Sequence, residues 1–442
     1  MADFVEDLKN RIISTMPDVS PDWAELCAIA PLSAILHNAR IIEQEKYLKL
    51  NLLMLMVGQS GIKKSMPMTT WTYQVVKETG EKLGRDFILP SRSSVEGFIN
   101  YMSTLKPKDK PRDAGIMIRD EFGGLFNQLR KADWQADGME FISEMYDGIY
   151  QKRATVTHGV SHVESLYASL MSATTPQFIT MMDSDFFIQG TGNRILYCYY
   201  DVNDYKSANI NTEEYFKKQW SGKKEKEVSE FAEALVRIYK KDIRDIYVMP
   251  EAGLLWADFK LDCEKEWKQK SIMDPLGWDY HPIKRYPEFV LKLSGLYAVS
   301  SQISRIPKIP SSHWDNSVIV YEKDMERAIE RVKICKEHFH NIIKLKHRNI
   351  PGVTPVSLTR EARAILHVFG INQYLDSKTW WDRQEITSSP NKFNKLKKIC
   401  INKGWVDEFK RSEVKKDVRI QLKNDNLNAR FYKISKEMQQ EI

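Results

Sequence analysis

The sequence has no apolar run approaching the roughly 20 residues that a membrane-spanning helix requires, so no membrane partner is expected. Cysteine is scarce. Cys27, Cys198, Cys263, Cys335 and Cys400 are scattered, with no C-x-x-C pair among them. That spacing argues against zinc and against a disulfide framework, and it fits a reducing cytoplasm. The N-terminus lacks the basic start of a signal peptide and carries Asp3, Glu6 and Asp7 instead, so the expected location is cytoplasmic. No internal repeat is present.

What is there is a chain of 442 residues, 42% apolar and 28% charged, with a net charge of +7. That length suits roughly two to four domains with a sizeable core. The charge is unevenly placed: residues 353–442 hold 18 lysines and arginines against 11 acids, a surplus equal to that of the whole chain. A basic terminal unit on a near-neutral body points to a polyanion, most often nucleic acid; a solvated basic surface is the alternative.

The rest is organised around Leu52–Ser65, LLMLMVGQSGIKKS. Six apolar residues suit a buried strand, which runs straight into Gly58-Gln59-Ser60-Gly61-Ile62-Lys63-Lys64-Ser65. Against the phosphate-loop pattern G-x-x-x-x-G-K-[ST], Gly58, Lys64 and Ser65 fall in register. Lys63 stands where the second glycine is expected. Such a loop needs backbone N–H groups curled around phosphate, an ammonium at the β/γ-phosphates and a hydroxyl on Mg²⁺. A plain Gly/Ser turn between strand and helix is the alternative. A second acidic strand favours the loop. Gly115–Ile118 leads into Asp120-Glu121 about 55 residues later, offering one carboxylate for the Mg²⁺ shell and one to polarise water. In an extended chain Asp120 and Glu121 point to opposite faces. Arg119, between them and the strand, is within reach of an ion pair that would mask Glu121. Together these motifs predict an ATPase using ATP and Mg²⁺.

The order of motifs carries a resemblance. SRSSVEGFINYM, IRDEFGGLF, FISEMYDGIYQKRATVTHG and SLYASLMSATTPQF, within residues 91–200, resemble P-loop ATPases of phages, plasmids and other mobile elements, often found next to primases. Members of that family commonly carry Arg or Gly where Lys63 stands. The same stretches are similar to the motor of the minichromosome-maintenance (MCM) helicases. By that resemblance QKRATVTHGV is a DNA-touching hairpin, with Lys152, Arg153 and His158 facing DNA, His158 replacing the usual tip lysine. ATTP becomes the sensor-1 turn with Thr175 near the γ-phosphate. GNRILYCYYD places an arginine finger at Arg194, and KRYPEFVLKLSGLYAVSS places the sensor-2 arginine at Arg285. A finger implies a ring, here a homo-hexamer; a structural salt bridge is the alternative for Arg194.

Near the C-terminus, LTREARAILHVF and a shorter helix precede PNKFNKLKKICINK, which stops at Gly404 before the strands at Trp405-Val406 and RFYKI. That is a winged helix-turn-helix pattern. Lys392, Lys395, Lys398 and Lys403 would meet phosphates, with Asn391 and Asn394 as base readers; winged helices also bind proteins. The expected fold is α/β. An N-terminal helical segment would span 1–45, an AAA+-type P-loop core 46–215, a helical lid 216–350, and a winged-helix DNA-binding domain 351–442. The expected function is a DNA helicase or translocase in replication of a mobile element, with a primase or other replication proteins as partners. A DNA-binding loader or switch that hydrolyses ATP without unwinding is the alternative.

Overall fold

The apolar run Leu52–Val57 lies at the centre of a parallel sheet. A strand paired on both edges and covered on both faces leaves no position for a polar side chain. The computed structural model describes residues 1–43, 46–91, 95–103, 114–124, 135–148, 151–155, 159–163, 167–181, 185–188, 190–201, 203, 223–273, 280–305, 317–347, 375–376, 394, 397, 406–410 and 430–434. The chain divides into two compact units, Met1–His347 and Arg348–Ile442.

In chain order the strands of the first unit begin with β1 (Arg40–Glu43), β2 (Lys46–Lys49), β3 (Leu53–Gly58), β4 (Ala114–Arg119) and β5 (Gln151–Thr155). Then come β6 (Gly159–Val163), β7 (Tyr167–Thr174), β8 (Ile195–Tyr200), β9 (Asp245–Val248) and β10 (Ser317–Val320). The central sheet has the order β4-β7-β3-β8, with all three pairings parallel. A further parallel bridge joins Ile88 to Ile116. The fold is therefore mixed α/β with a parallel sheet, as the sequence predicts.

A second sheet, β10-β9-β1-β2, draws its strands from both ends of the unit. β9 pairs in parallel with β1 and β10, and β1 turns back antiparallel onto β2. Ile41, Ile246, Val318 and Val320 bury one face, which packs on helix Tyr286–Ser301. The N-terminal residues and the region expected as a lid thus share one sheet.

Helix Pro21–Ile35 opens on a proline, whose missing N–H is harmless in the first turn, and is buried at every position from Trp23 to Ile35. One of those positions is Glu25, which accepts from Lys9 at 3.0 Å, from the Tyr297 hydroxyl at 2.5 Å and from Arg331 at 2.5 Å. Arg331 also pairs with Asp22 at 2.6 Å, while Arg327, one turn earlier, pairs with Asp3 at 3.0 Å and Glu6 at 3.1 Å. Burial alone would raise the Glu25 carboxyl, but Arg331, Tyr297 and Lys9 hold it down at about 2. The network ties helices Phe4–Thr15 and Pro21–Ile35 to helix Glu322–His347.

In the second unit, β11 (Leu375–Asp376), β12 (Val406–Lys410) and β13 (Arg430–Ile434) form an antiparallel sheet of order β11-β13-β12.

Candidate nucleotide-binding site

The loop Gly58–Lys64 leaves the C-terminal end of β3. Gly58 is packed so closely that a Cβ there would lie 2.6 Å from Ile62 and 2.7 Å from the Trp23 ring. Gly61 has φ +94° and Lys63 has φ +49°, so the chain curls through the left-handed region twice within three residues. The left-handed backbone at Lys63 is the conformation a glycine supplies for least energy, which explains the pattern's glycine there. Here Lys63 adopts it while its ammonium pairs at 2.6 Å with Asp18, a nearly buried carboxylate in the turn between the first two helices. Lys64 turns inward and donates to the Gln59 carbonyl at 2.7 Å. Burial lowers the Lys64 ammonium, while the Glu121 carboxylate pulls it back up. Ser65 begins a helix that passes through a π-helical turn at Met68–Thr72 and continues to Leu83.

Three strand ends stand level beside this loop. Val57 on β3 pairs with Thr174 on β7, and Ser172 on β7 pairs with Arg119 on β4. Continuing two residues along a pleated strand keeps the same face, so Thr174 and Glu121 meet. The Thr174 hydroxyl donates to Glu121 Oε1 at 3.2 Å, and the Gly123 N–H donates to the same oxygen at 3.1 Å. Arg119 does not mask Glu121: its guanidinium donates to the Ser91 carbonyl at 2.7 Å. Asp120 and Glu121 are both exposed. With β7 between them, β3 and β4 lie roughly 10 Å apart, which leaves room between the loop and the acids. Gln177, just after β7, spans part of that distance by donating to the Gln59 side chain at 3.0 Å.

Thr175 itself sits one residue beyond the level ends, where its carbonyl accepts from Phe178 and Ile179 and starts the helix Pro176–Met181. The hydroxyl on the carboxylate is that of Thr174, a residue passed over in the sequence. Strand alternation would have favoured it only if the β4–β7 register had been known. Asp18, Trp23 and Gln177 carried no sequence signal for this loop.

Arg194 lies elsewhere. Ile195, which follows it, pairs with Leu53 at the start of β3, whereas Tyr200 pairs with Gly58 at the end. At ~3.3 Å per residue, Arg194 is roughly 15–20 Å from its own phosphate loop along the sheet. It pairs with Asp147 at 2.9 Å and donates to the Gly190 carbonyl at 3.1 Å. Arg285 makes two bonds to Glu288, at 3.0 and 2.8 Å. Arg194 therefore lies at the strand ends opposite the loop, where its turn Gly192–Arg194 contacts the turn His281–Arg285, and together they form an arginine edge.

Strands β5 and β6 form an antiparallel hairpin, with Lys152 opposite His162 and Arg153 opposite Ser161. His158 lies outside the described residues, as do Asn391, Lys392, Lys395, Lys398 and Lys403; Asn394 is helical and exposed. Among the described residues no cluster of three or more His, Cys, Asp or Glu side chains could hold a metal. A Mg²⁺ ion held by one carboxylate, one hydroxyl and substrate phosphates needs no such cluster, and Ser65 and Asp120 fit that donor set. No described helix is long and apolar enough to cross a membrane. The chain matches no protein-family model and no curated protein sequence.

Proposed function

We propose that the protein is an AAA+-type P-loop ATPase that assembles as a ring and moves along or remodels DNA during replication of a mobile element. The observation that carries the reading is the level set of strand ends: the phosphate loop after β3, Thr174 closing β7, and Asp120-Glu121 after β4. The loop's backbone N–H groups and Lys64 would neutralise the β- and γ-phosphates, while Ser65 and Asp120 would complete the Mg²⁺ shell. Mg²⁺, when bound, supplies charge neutralisation as the γ-phosphate leaves. Glu121 polarises the attacking water, and Thr174 fixes that carboxylate through one oxygen.

The distance between Arg194 and its own loop supports a role in a neighbour's site, which calls for a ring of subunits. The basic second unit and the β5–β6 hairpin are the proposed DNA-contacting parts, with a winged helix in the second unit. The test is ATP turnover with and without DNA, strand displacement on a forked duplex, and mass in the presence of ATP. Turnover with strand displacement by an oligomer is the expected result. Turnover without displacement would leave a DNA-binding loader or switch, and no turnover would overturn the enzyme reading.

A further inference from the structure

A buried lysine sits behind the arginine edge. Lys292, on helix Tyr286–Ser301, donates to the Asn51 carbonyl at 3.1 Å, to the Asn51 side-chain oxygen at 3.3 Å and to the Tyr146 carbonyl at 3.2 Å. Three acceptors match the three N–H donors of an ammonium. The same ammonium lies 3.5 Å over the Tyr146 ring. Asn51 in turn donates to the carbonyls of Met145 at 2.6 Å and Ala168 at 3.2 Å. This knot clamps the last turn of helix Gln135–Asp147 to the starts of β3 and β7.

Asp147, the residue after Tyr146, holds Arg194. Glu288, one turn before Lys292, holds Arg285 and accepts from the Tyr146 hydroxyl at 3.5 Å. Burial lowers Lys292 to about 7, against the pull of Glu288 and Asp147 and with the push of Arg285 and Arg194. Its hydrogen bonds run to Asn51, just before β3, and to Tyr146, the neighbour of the Asp147 that holds Arg194.

We propose that Lys292 is a positioning residue for the arginine edge: by fixing the end of helix Gln135–Asp147 it fixes Asp147, and through Asp147 the presentation of Arg194 to a neighbouring subunit. This rests on the ring reading of Arg194 given above. Lys292 contacts the phosphate-loop strand as well, through Asn51, so the two possible roles must be separated by experiment.

Subunit mixing does so. Lys64→Ala removes a pocket and keeps a finger, whereas Arg194→Ala does the reverse. Lys292→Met should bind ATP as tightly as the native chain and lose on the order of 100-fold in turnover, the scale of a small misplacement. Mixed before assembly with Lys64→Ala, it should regain activity; mixed with Arg194→Ala, it should not. Recovery with Arg194→Ala alone would put Lys292 in service of its own pocket and overturn the proposal, as would native turnover in Lys292→Met. The control is Arg194→Ala with Lys64→Ala: no recovery there, with mixed oligomers confirmed by mass, overturns the ring reading and this proposal with it. Recovery in the control beside no recovery for Lys292→Met in either mixture overturns this proposal alone. If Lys292→Met does not fold, Lys292→Gln, which keeps a donor, takes its place in the same mixtures. Failure of both to fold makes Lys292 a stability residue and overturns the proposal.

Discussion

At the scale of single residues, the proposed site would separate groups that bind from groups that react. Lys64 is folded onto the Gln59 carbonyl of its own loop. Lys64→Ala should abolish hydrolysis, and Glu121→Gln should keep ATP binding while losing turnover, since an amide cannot polarise water; fluorescent-nucleotide titration beside phosphate release distinguishes the two. Native turnover in Glu121→Gln would mean that another base acts. The two threonines of the ATTP turn give a sharper contrast. Thr174→Val keeps shape and removes the hydroxyl bonded to Glu121, so kcat should fall by about tenfold or more with little change in KM. Thr175→Val removes a hydroxyl where the carbonyl does the capping, and it should be nearly neutral. Equal losses in both variants would remove Thr174 from its assigned role.

At the scale of elements, helix Pro21–Ile35 is held by charge as well as by apolar burial. Glu25 sits at about 2 in the folded chain against 4.5 for a free side chain. A depressed carboxyl stabilises the fold fully above about pH 4.5, and that contribution fades as pH falls toward 2. A shift of this size corresponds to about 3 kcal/mol. Glu25→Gln should therefore be less stable at neutral pH and lose less stability between pH 5 and 3 than the native chain, as read from urea midpoints. Parallel acid losses in the two proteins would refute the assignment.

The elements also differ in how plainly the sequence announced them. Leu52–Val57 and Ile116–Ile118 are apolar runs, so their strands were legible from hydropathy alone. Residues 216–350 are expected as a helical lid, yet β9 and β10 lie inside them. Four-residue strands carry too few alternations to stand out; β9 pairs with β1 about 200 residues away in sequence, and β10 pairs with β9. The phosphate loop and the acid pair were legible because their chemistry fixes residue types at set spacings. Thr174, Asp18 and Lys292 were not, because each acts through a contact that only register or packing creates.

At the scale of the whole chain, the charge surplus and the candidate site fall in different units. The proposed nucleotide site lies wholly within Met1–His347, whereas the positive surplus belongs to the last 90 residues. Removing residues 348–442 should weaken duplex binding and flatten its salt dependence, each lost phosphate contact lowering the log–log slope by roughly 0.9. ATP turnover without DNA should persist in the truncated chain. An unchanged slope would assign the second unit to protein partners.

The ion network around Glu25 has a consequence for synthesis. Its partner Arg331 lies 306 residues further along the chain. At ~5–20 residues per second, on the order of 15–60 s separates the emergence of the carboxylate from that of its guanidinium. Through that interval the apolar helix bearing Glu25 lacks its arginine partner, and for about the first two thirds of it β1 lacks β9. A segment made early is thus among the last of the unit to be sealed. Until the helix Glu322–His347 arrives to close the unit, the apolar helix Pro21–Ile35 and its two carboxylates wait for their arginine.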